Sequence, residues 1–249
     1  MILENKYSAE IINSKNGIVR ITGLIYILII VIGLLNAVFI DSKLIIHEDI
    51  NLSINNIIAN EFLFRFGIAC ELILYVLVII LSVLLYLILK VVNKKLALLA
   101  MVLRLGEALL GITIVLMSFI VLGLLNSQVN ATSIENKQLS VIIGGLLNAR
   151  ANGLYIILFL VGFGGTLFLY LFYKSLYISR TLSIWGVFTY LSMLILSLVS
   201  ILFPEHPEII EIILYGLGTL FELTIGFWLL FKGISFQKIE EIPDGNFEK

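Results

Sequence analysis

Six apolar stretches, each about twenty residues or longer, divide this chain, near 21–40, 66–89, 97–125, 154–173, 182–203 and 209–231. At a helical rise of about 1.5 Å per residue, each reaches across a hydrocarbon layer about 30 Å thick. Only helices and closed barrels satisfy their own backbone in lipid, and these runs lack the period-two alternation of a barrel strand. The expected fold is therefore all-α, a polytopic transmembrane helix bundle of about six spans. Composition excludes the soluble alternative. The chain is 60% hydrophobic and 13% charged, against about 25% charged in a soluble domain, and no single globular core could hide so much apolar surface.

Charge sets a direction for the spans. Arg104 lies inside the third run. Of the other basic residues, eleven fall on one side, including Lys6, Lys15, Arg20, Lys94, Lys95 and Lys232. Lys43, Arg65, Lys137 and Arg150 fall on the other. Lysine and arginine concentrate on the cytoplasmic side, so both termini are expected there. The first apolar run is too long for a secretion signal and ends in Phe39-Ile40-Asp41 without a small-residue cleavage site. It is expected to remain as the first helix. The organisation that follows is a cytoplasmic segment over 1–19, one helical membrane domain over 20–233, and a disordered acidic tail over 234–249. In the outer connection 126–152, the apolar piece at 139–149 is too short to span and reads as re-entrant or interfacial. Pro204 and Pro207, in "FPEHPE", mark a sharp turn between the last two helices.

Several charges sit inside these apolar runs. Arg104 and Glu107 are one turn apart on the third helix and share a face. Glu222 lies mid-way along the sixth, and Glu71 toward the outer end of the second. Counted from Lys95 and Lys232, Arg104 and Glu222 are both about 14 Å deep. The three inner charges form one cluster if the third and sixth helices touch. Gly218 and Gly226 flank Glu222 at intervals of four, and small residues let membrane helices approach closely. Other inward stripes are read at Thr22, Tyr26 and Gly33, at Gly67, Glu71, Tyr75 and Ser82, at Asn152, Tyr155, Thr166, Tyr170 and Tyr173, and at Ser183, Gly186, Tyr190, Ser197 and Ser200. The candidate intramembrane polar network is thus Arg104, Glu107, Glu222 and Glu71. Its plain role is to fix helix register. Its functional role is to line a cavity for a ligand, proton or ion, because ionisable groups within the membrane are functional candidates by default.

Other chemistry is thin. The net charge of -1 offers no basic field for nucleic acid. One cysteine, Cys70, excludes an internal disulfide. His47, Glu48 and Asp49, with Glu205, His206, Glu208 and Glu211, lie on the outer side without metal-ligand spacing, so neither metal nor cofactor is expected. "GFGG" at 162–165 lacks a GxGxxG pattern and its strand, and reads as a close-packing or bending point. No serine elbow or HExxH is present.

Taken together, "VRITGLIYILIIVIG", "NNIIANEFLFRFGIACEL", "NKKLALLAMVLRLGEALLG" and a glutamate-bearing last helix ending in "LLFKG" resemble the bacterial membrane proteins grouped as domain of unknown function 4386. The resemblance runs over roughly 19–233. Its pattern falls on Asn60, Glu61, Arg65, Glu71, Arg104, Glu107 and Glu222. It implies a multi-pass protein of the bacterial cytoplasmic membrane and supplies no substrate, reaction or cofactor.

Three functional classes follow. The first is a structural, regulatory or ligand-sensing membrane protein built around a buried Arg/Glu network. The second is a small-solute or proton-coupled transporter using Glu107 and Glu222. The third is an intramembrane enzyme with no assignable catalytic residue. Expected partners are membrane lipids and a membrane-protein partner or a second copy of the chain, with no nucleic acid.

Overall fold

A computed structural model describes residues 2–46, 48–127, 133–203 and 207–235. The chain is all helix there. Helix α1 spans Ile2–Asn36, continues through a π-helical turn at Ala37–Asp41, and ends in one more turn, Ser42–Leu44. A short α2 (Ile50–Ala59) precedes α3 (Glu61–Leu89), α4 (Lys94–Ser127), α5 (Ser133–Ser175), α6 (Arg180–Leu202) and α7 (Glu208–Phe227), which ends in a second π turn, Trp228–Lys232. Six of these stretches are long and apolar enough to cross a membrane: Asn16–Leu44, Glu61–Leu89, Lys94–Asn126, Lys137–Ser175, Arg180–Leu202 and Ile209–Lys232.

The burial pattern is that of a protein solvated by lipid. Large apolar side chains stand on the outside, with Phe188, Leu109 and Ile212 more than 60% exposed. Small hydroxylated ones turn inward, and Thr22, Ser82, Ser183 and Ser197 are fully buried. The membrane offers no hydrophobic drive between helices, so close packing and internal hydrogen bonds hold them together. Thr22 Oγ1 donates to Ile18 O at 2.8 Å within its own helix, while Ser197 Oγ donates across from α6 to Tyr155 O on α5 at 2.7 Å.

Glycine sets the closest approaches. A Cβ at Gly23 would stand 2.5 Å from both Gly226 O and Leu230 N, so α1 and α7 meet backbone to backbone. The "GFGG" stretch does the same for α5 and α6. A Cβ at Gly162 would meet Leu194 N at 2.6 Å, and one at Gly165 would meet the Tyr190 ring at 2.5 Å.

The order of packing is serial with a closing contact. Helix α4 packs between α3 and α5, α6 packs on α5 and α7, and α7 closes against α1, which also packs on α3. One apolar core gathers Phe168, Phe172, Tyr190 and Phe221; the other, near the α1–α2 end, gathers Ile57, Phe64, Ile143 and Leu147. Helix α2 sits within the connection after the first span. Asp49 caps it by accepting from Leu52 N at 3.0 Å, and its Ser53 is buried against Ile46.

The expected re-entrant piece at 139–149 is not one. It forms continuous turns of α5, which carries the fourth span back to Lys137. "NARANG" interrupts the apolar run and looks like loop in sequence, but helix propensity does not penalise Asn, Arg and Ala enough to break a packed helix. The inward stripe expected on this helix is also corrected. Asn152, Tyr170 and Tyr173 are exposed, and Gly162, Gly165, Phe168 and Leu169 face the core instead. Pro204, Glu205, His206, His47 and the tail from residue 236 onward lie outside the described residues.

Candidate functional site

The buried charges form two layers. The inner layer centres on Arg104 and Glu107 of α4, which are 4% and 5% exposed. Arg104 Nη1 stands 2.9 Å from Glu107 Oε2. The angle is not that of a hydrogen bond, and Oε2 has no hydrogen-bond partner among the described residues. Pairing at i, i+3 brings the two charges together along one face of the helix. Glu222 of α7 takes a different partner, accepting a hydrogen bond from Tyr190 Oη of α6 at 2.7 Å. Tyr26 of α1 lies within hydrogen-bonding reach of Tyr190 and within electrostatic reach of Arg104, Glu107 and Glu222.

The contact between the third and sixth spans, on which the expected cluster of Arg104, Glu107 and Glu222 depends, is not among the main helix contacts. The main neighbours of α4 are α3 and α5, and those of α7 are α1 and α6. Tyr190, on α6, reaches Glu222 by its hydroxyl, and both Tyr190 and Tyr26 are within electrostatic reach of Arg104 and Glu222. Arg104 still acts on Glu222 electrostatically, without an ion pair inside 4.0 Å among the described residues.

The outer layer holds Glu71 of α3, and here the sequence reading missed most of the partners. Arg150 of α5, read as a loop residue, is 9% exposed and lies inside the fourth span. Its guanidinium pairs with Glu71 Oε1 and, at 3.3 Å, with Asp41 Oδ1. Asn36 Nδ2 donates to the same Glu71 oxygen at 3.1 Å and to Asp41 Oδ2 at 3.4 Å. Two carboxylates thus face one guanidinium.

The π turn explains why Asp41 joins. Five residues apart on a regular helix, Asn36 and Asp41 would point about 140° away from each other. An i to i+5 turn stacks them on one face, and π turns recur at functional sites for this reason. A sequence signal for Arg150 did exist. Glu71 has no cation within a turn, and a carboxylate in lipid needs one from another helix.

A cavity of about 300 Å³ opens beside this layer. Asp41, Ser42, Glu71, Tyr75 and Arg150 supply its polar wall, and Ile45, Ile114, Leu147, Ala151 and Leu154 most of its apolar wall. Tyr75 is only 9% exposed, and its hydroxyl makes no hydrogen bond among the described residues. Its ring lies against Gly111, where no side chain would fit. Tyr75 is also within electrostatic reach of Glu107, so it stands between the two layers. A larger, more open groove of about 590 Å³ at the other end of the bundle is lined by Tyr177, Arg180 and Lys232 and touches neither layer. Lys232 Nζ there sits 3.9 Å over the Trp228 ring.

No group of three or more His, Cys, Asp or Glu side chains that could hold a metal occurs among the described residues. Of the outer acidic candidates, Glu211 instead accepts a hydrogen bond from Tyr155 Oη at 3.0 Å.

Comparison with known proteins gives one result. No curated protein and no solved structure matches the chain. The family profile described as Domain of unknown function (DUF4386) matches residues 21–233, from the first span to the end of the sixth. This multi-pass helical protein, with its salt-bridged charges buried among the spans, therefore belongs to the DUF4386 family.

Proposed function

We propose that the protein is a ligand-sensing component of the bacterial cytoplasmic membrane, with both termini in the cytoplasm. The inner layer serves as a dry lock on helix register, and the outer layer as a binding site. One observation carries this reading: the cavity of about 300 Å³ beside Glu71, Tyr75 and Arg150. Binding pockets are concave, mostly apolar and fitted with a few convergent polar groups, and their volumes begin near 300 Å³. A ligand there touches α1, α3, α4 and α5 at once, so it favours whichever arrangement of those helices fits it. The signal then passes to a partner protein or a second copy through the helix surface.

The test is thermal melting in lipid nanodiscs against small amphiphilic solutes of each charge type. At least one solute should raise the melting temperature of the wild type and leave Ala151→Trp, whose cavity is filled, unmoved. If no solute stabilises the wild type, or the filled variant responds equally, the reading fails.

A second reading, small-solute or proton-coupled transport through Glu107 and Glu222, draws on Tyr75, which lies within electrostatic reach of Glu71 and Glu107 and so bridges cavity and inner layer. Solute or proton flux into proteoliposomes, abolished by Tyr75→Phe, would favour it.

A further inference from the structure

The chemistry of the cavity wall narrows the ligand class. Arg150 is the one cation on that wall, and both its terminal nitrogens are already committed, to Asp41 and to Glu71 Oε1. Asn36 Nδ2, the nearest amide donor, is likewise used on the same two carboxylates. An anion entering the cavity would meet a guanidinium already shared between two carboxylates and would face their negative charge.

The acceptors are in the opposite condition. Glu71 Oε2 makes no hydrogen bond among the described residues. Both Asp41 oxygens already accept from Arg150 or Asn36, but the side chain is 35% exposed, so their remaining lone pairs stay accessible. The Tyr75 hydroxyl, on a side chain more than nine-tenths buried, adds a second unpartnered oxygen on the same wall. Counted as ionised, the two carboxylates exceed the one guanidinium by one formal negative charge.

We infer that the cavity takes a small amphipathic organic cation, a protonated primary amine with a short apolar tail; this deepens the ligand-sensing reading and rests on it. An ammonium head has three N–H donors and no acceptor, which suits Glu71 Oε2, the Tyr75 hydroxyl and a remaining lone pair of Asp41. It also supplies the missing positive charge, so each contact is a charge-assisted hydrogen bond. The tail lies along Ile114, Leu147 and Leu154, which a bare inorganic ion would leave uncovered. A divalent metal is disfavoured, because the guanidinium already occupies the space between the carboxylates.

The experiment is isothermal titration of the full-length protein in nanodiscs with hexylammonium, hexanoate and hexanol, and with potassium chloride as ionic control. Hexylammonium should bind at least tenfold more tightly than the other two, and potassium chloride should give no signal. Glu71→Gln should weaken hexylammonium by ~10-fold to ~100-fold, the range for losing a hydrogen bond to a charged group. Tyr75→Phe, which keeps every charge in place, should weaken it by a smaller factor and serves where Glu71→Gln fails to fold. Tighter binding of hexanoate or hexanol, lost in Ala151→Trp, overturns the cation assignment and leaves the binding cavity standing. Binding of none of the three overturns both.

Discussion

Replacing Arg104 by methionine removes the cation from the inner layer and leaves Glu107 buried without its counter-charge. The structure sets the scale. The two charges are 2.9 Å apart and about 95% buried. Coulomb attraction at that distance is about 6 kcal/mol at an effective dielectric of about 20. Desolvation offsets part of it, and breaking one side of a buried pair typically costs about 3–5 kcal/mol. Glu107→Gln should cost less, about 1–3 kcal/mol, because Arg104 retains Glu222 within electrostatic reach. Glu222→Gln should cost least, under about 1 kcal/mol, since the amide oxygen still accepts from Tyr190 Oη. The assay is reversible unfolding in mixed micelles, titrated with denaturing detergent. The double variant Arg104→Met with Glu107→Gln should fall short of the summed single costs by about 2 kcal/mol, a coupling expected of residues in contact. Additivity within about 0.5 kcal/mol, or an Arg104→Met cost below about 1 kcal/mol, would refute the account of Arg104 and Glu107 as a mutually dependent pair.

Other substitutions probe the packing and the outer layer by the same unfolding titration. Gly23→Val should destabilise by about 1–3 kcal/mol or more, because the added carbons collide with the Gly226 and Leu230 backbone; an unchanged midpoint would contradict the α1–α7 contact. Gly216→Ala has open space around it and should be neutral or stabilise by up to about 1 kcal/mol. Gly111→Ala, whose methyl would enter the Tyr75 ring, should cost about 1–3 kcal/mol, and equal midpoints for these two alanine variants would count against the Tyr75 placement. In the outer layer, Asp41→Asn should cost less than Glu71→Gln. Asp41 is 35% exposed against 14% for Glu71, and exposure to water weakens an ion pair; the reverse order would mean that Asp41, not Glu71, is the main partner of Arg150.

The spans were legible in the sequence because lipid imposes length and hydropathy on every crossing: each of the six apolar runs lies in a spanning helix, the fourth of which reaches back to Lys137. The α6 stripe was legible for the same reason. Ser183, Gly186, Tyr190, Ser197 and Ser200 recur at helical spacing and all are buried. Two things were not legible. Arg150 looked like loop because local hydropathy counts a charge against the membrane without seeing Glu71 and Asp41 on other helices that stabilise it. Asp41 could not be joined to this layer from spacing, because a π turn breaks the 3.6-residue period on which face assignments rest. The inner cluster was half legible. Spacing gave the Arg104–Glu107 pair, but which helices touch depends on the shapes of Gly23, Gly226 and the tyrosines, and periodicity does not encode that.

The central claim is that the two charged layers differ, one dry and one open to water. It is tested most directly by placing single cysteines in a Cys70→Ala background, at Ala151 on the cavity wall and at Thr22, one turn from Tyr26 in the inner layer. A membrane-impermeant thiol reagent is applied to right-side-out and inverted vesicles, with detergent-denatured controls. The account predicts labelling of Ala151→Cys from the side opposite the termini only, and no labelling of Thr22→Cys until the protein is unfolded. Labelling of native Thr22→Cys, or protection of Ala151→Cys from both sides, would contradict it.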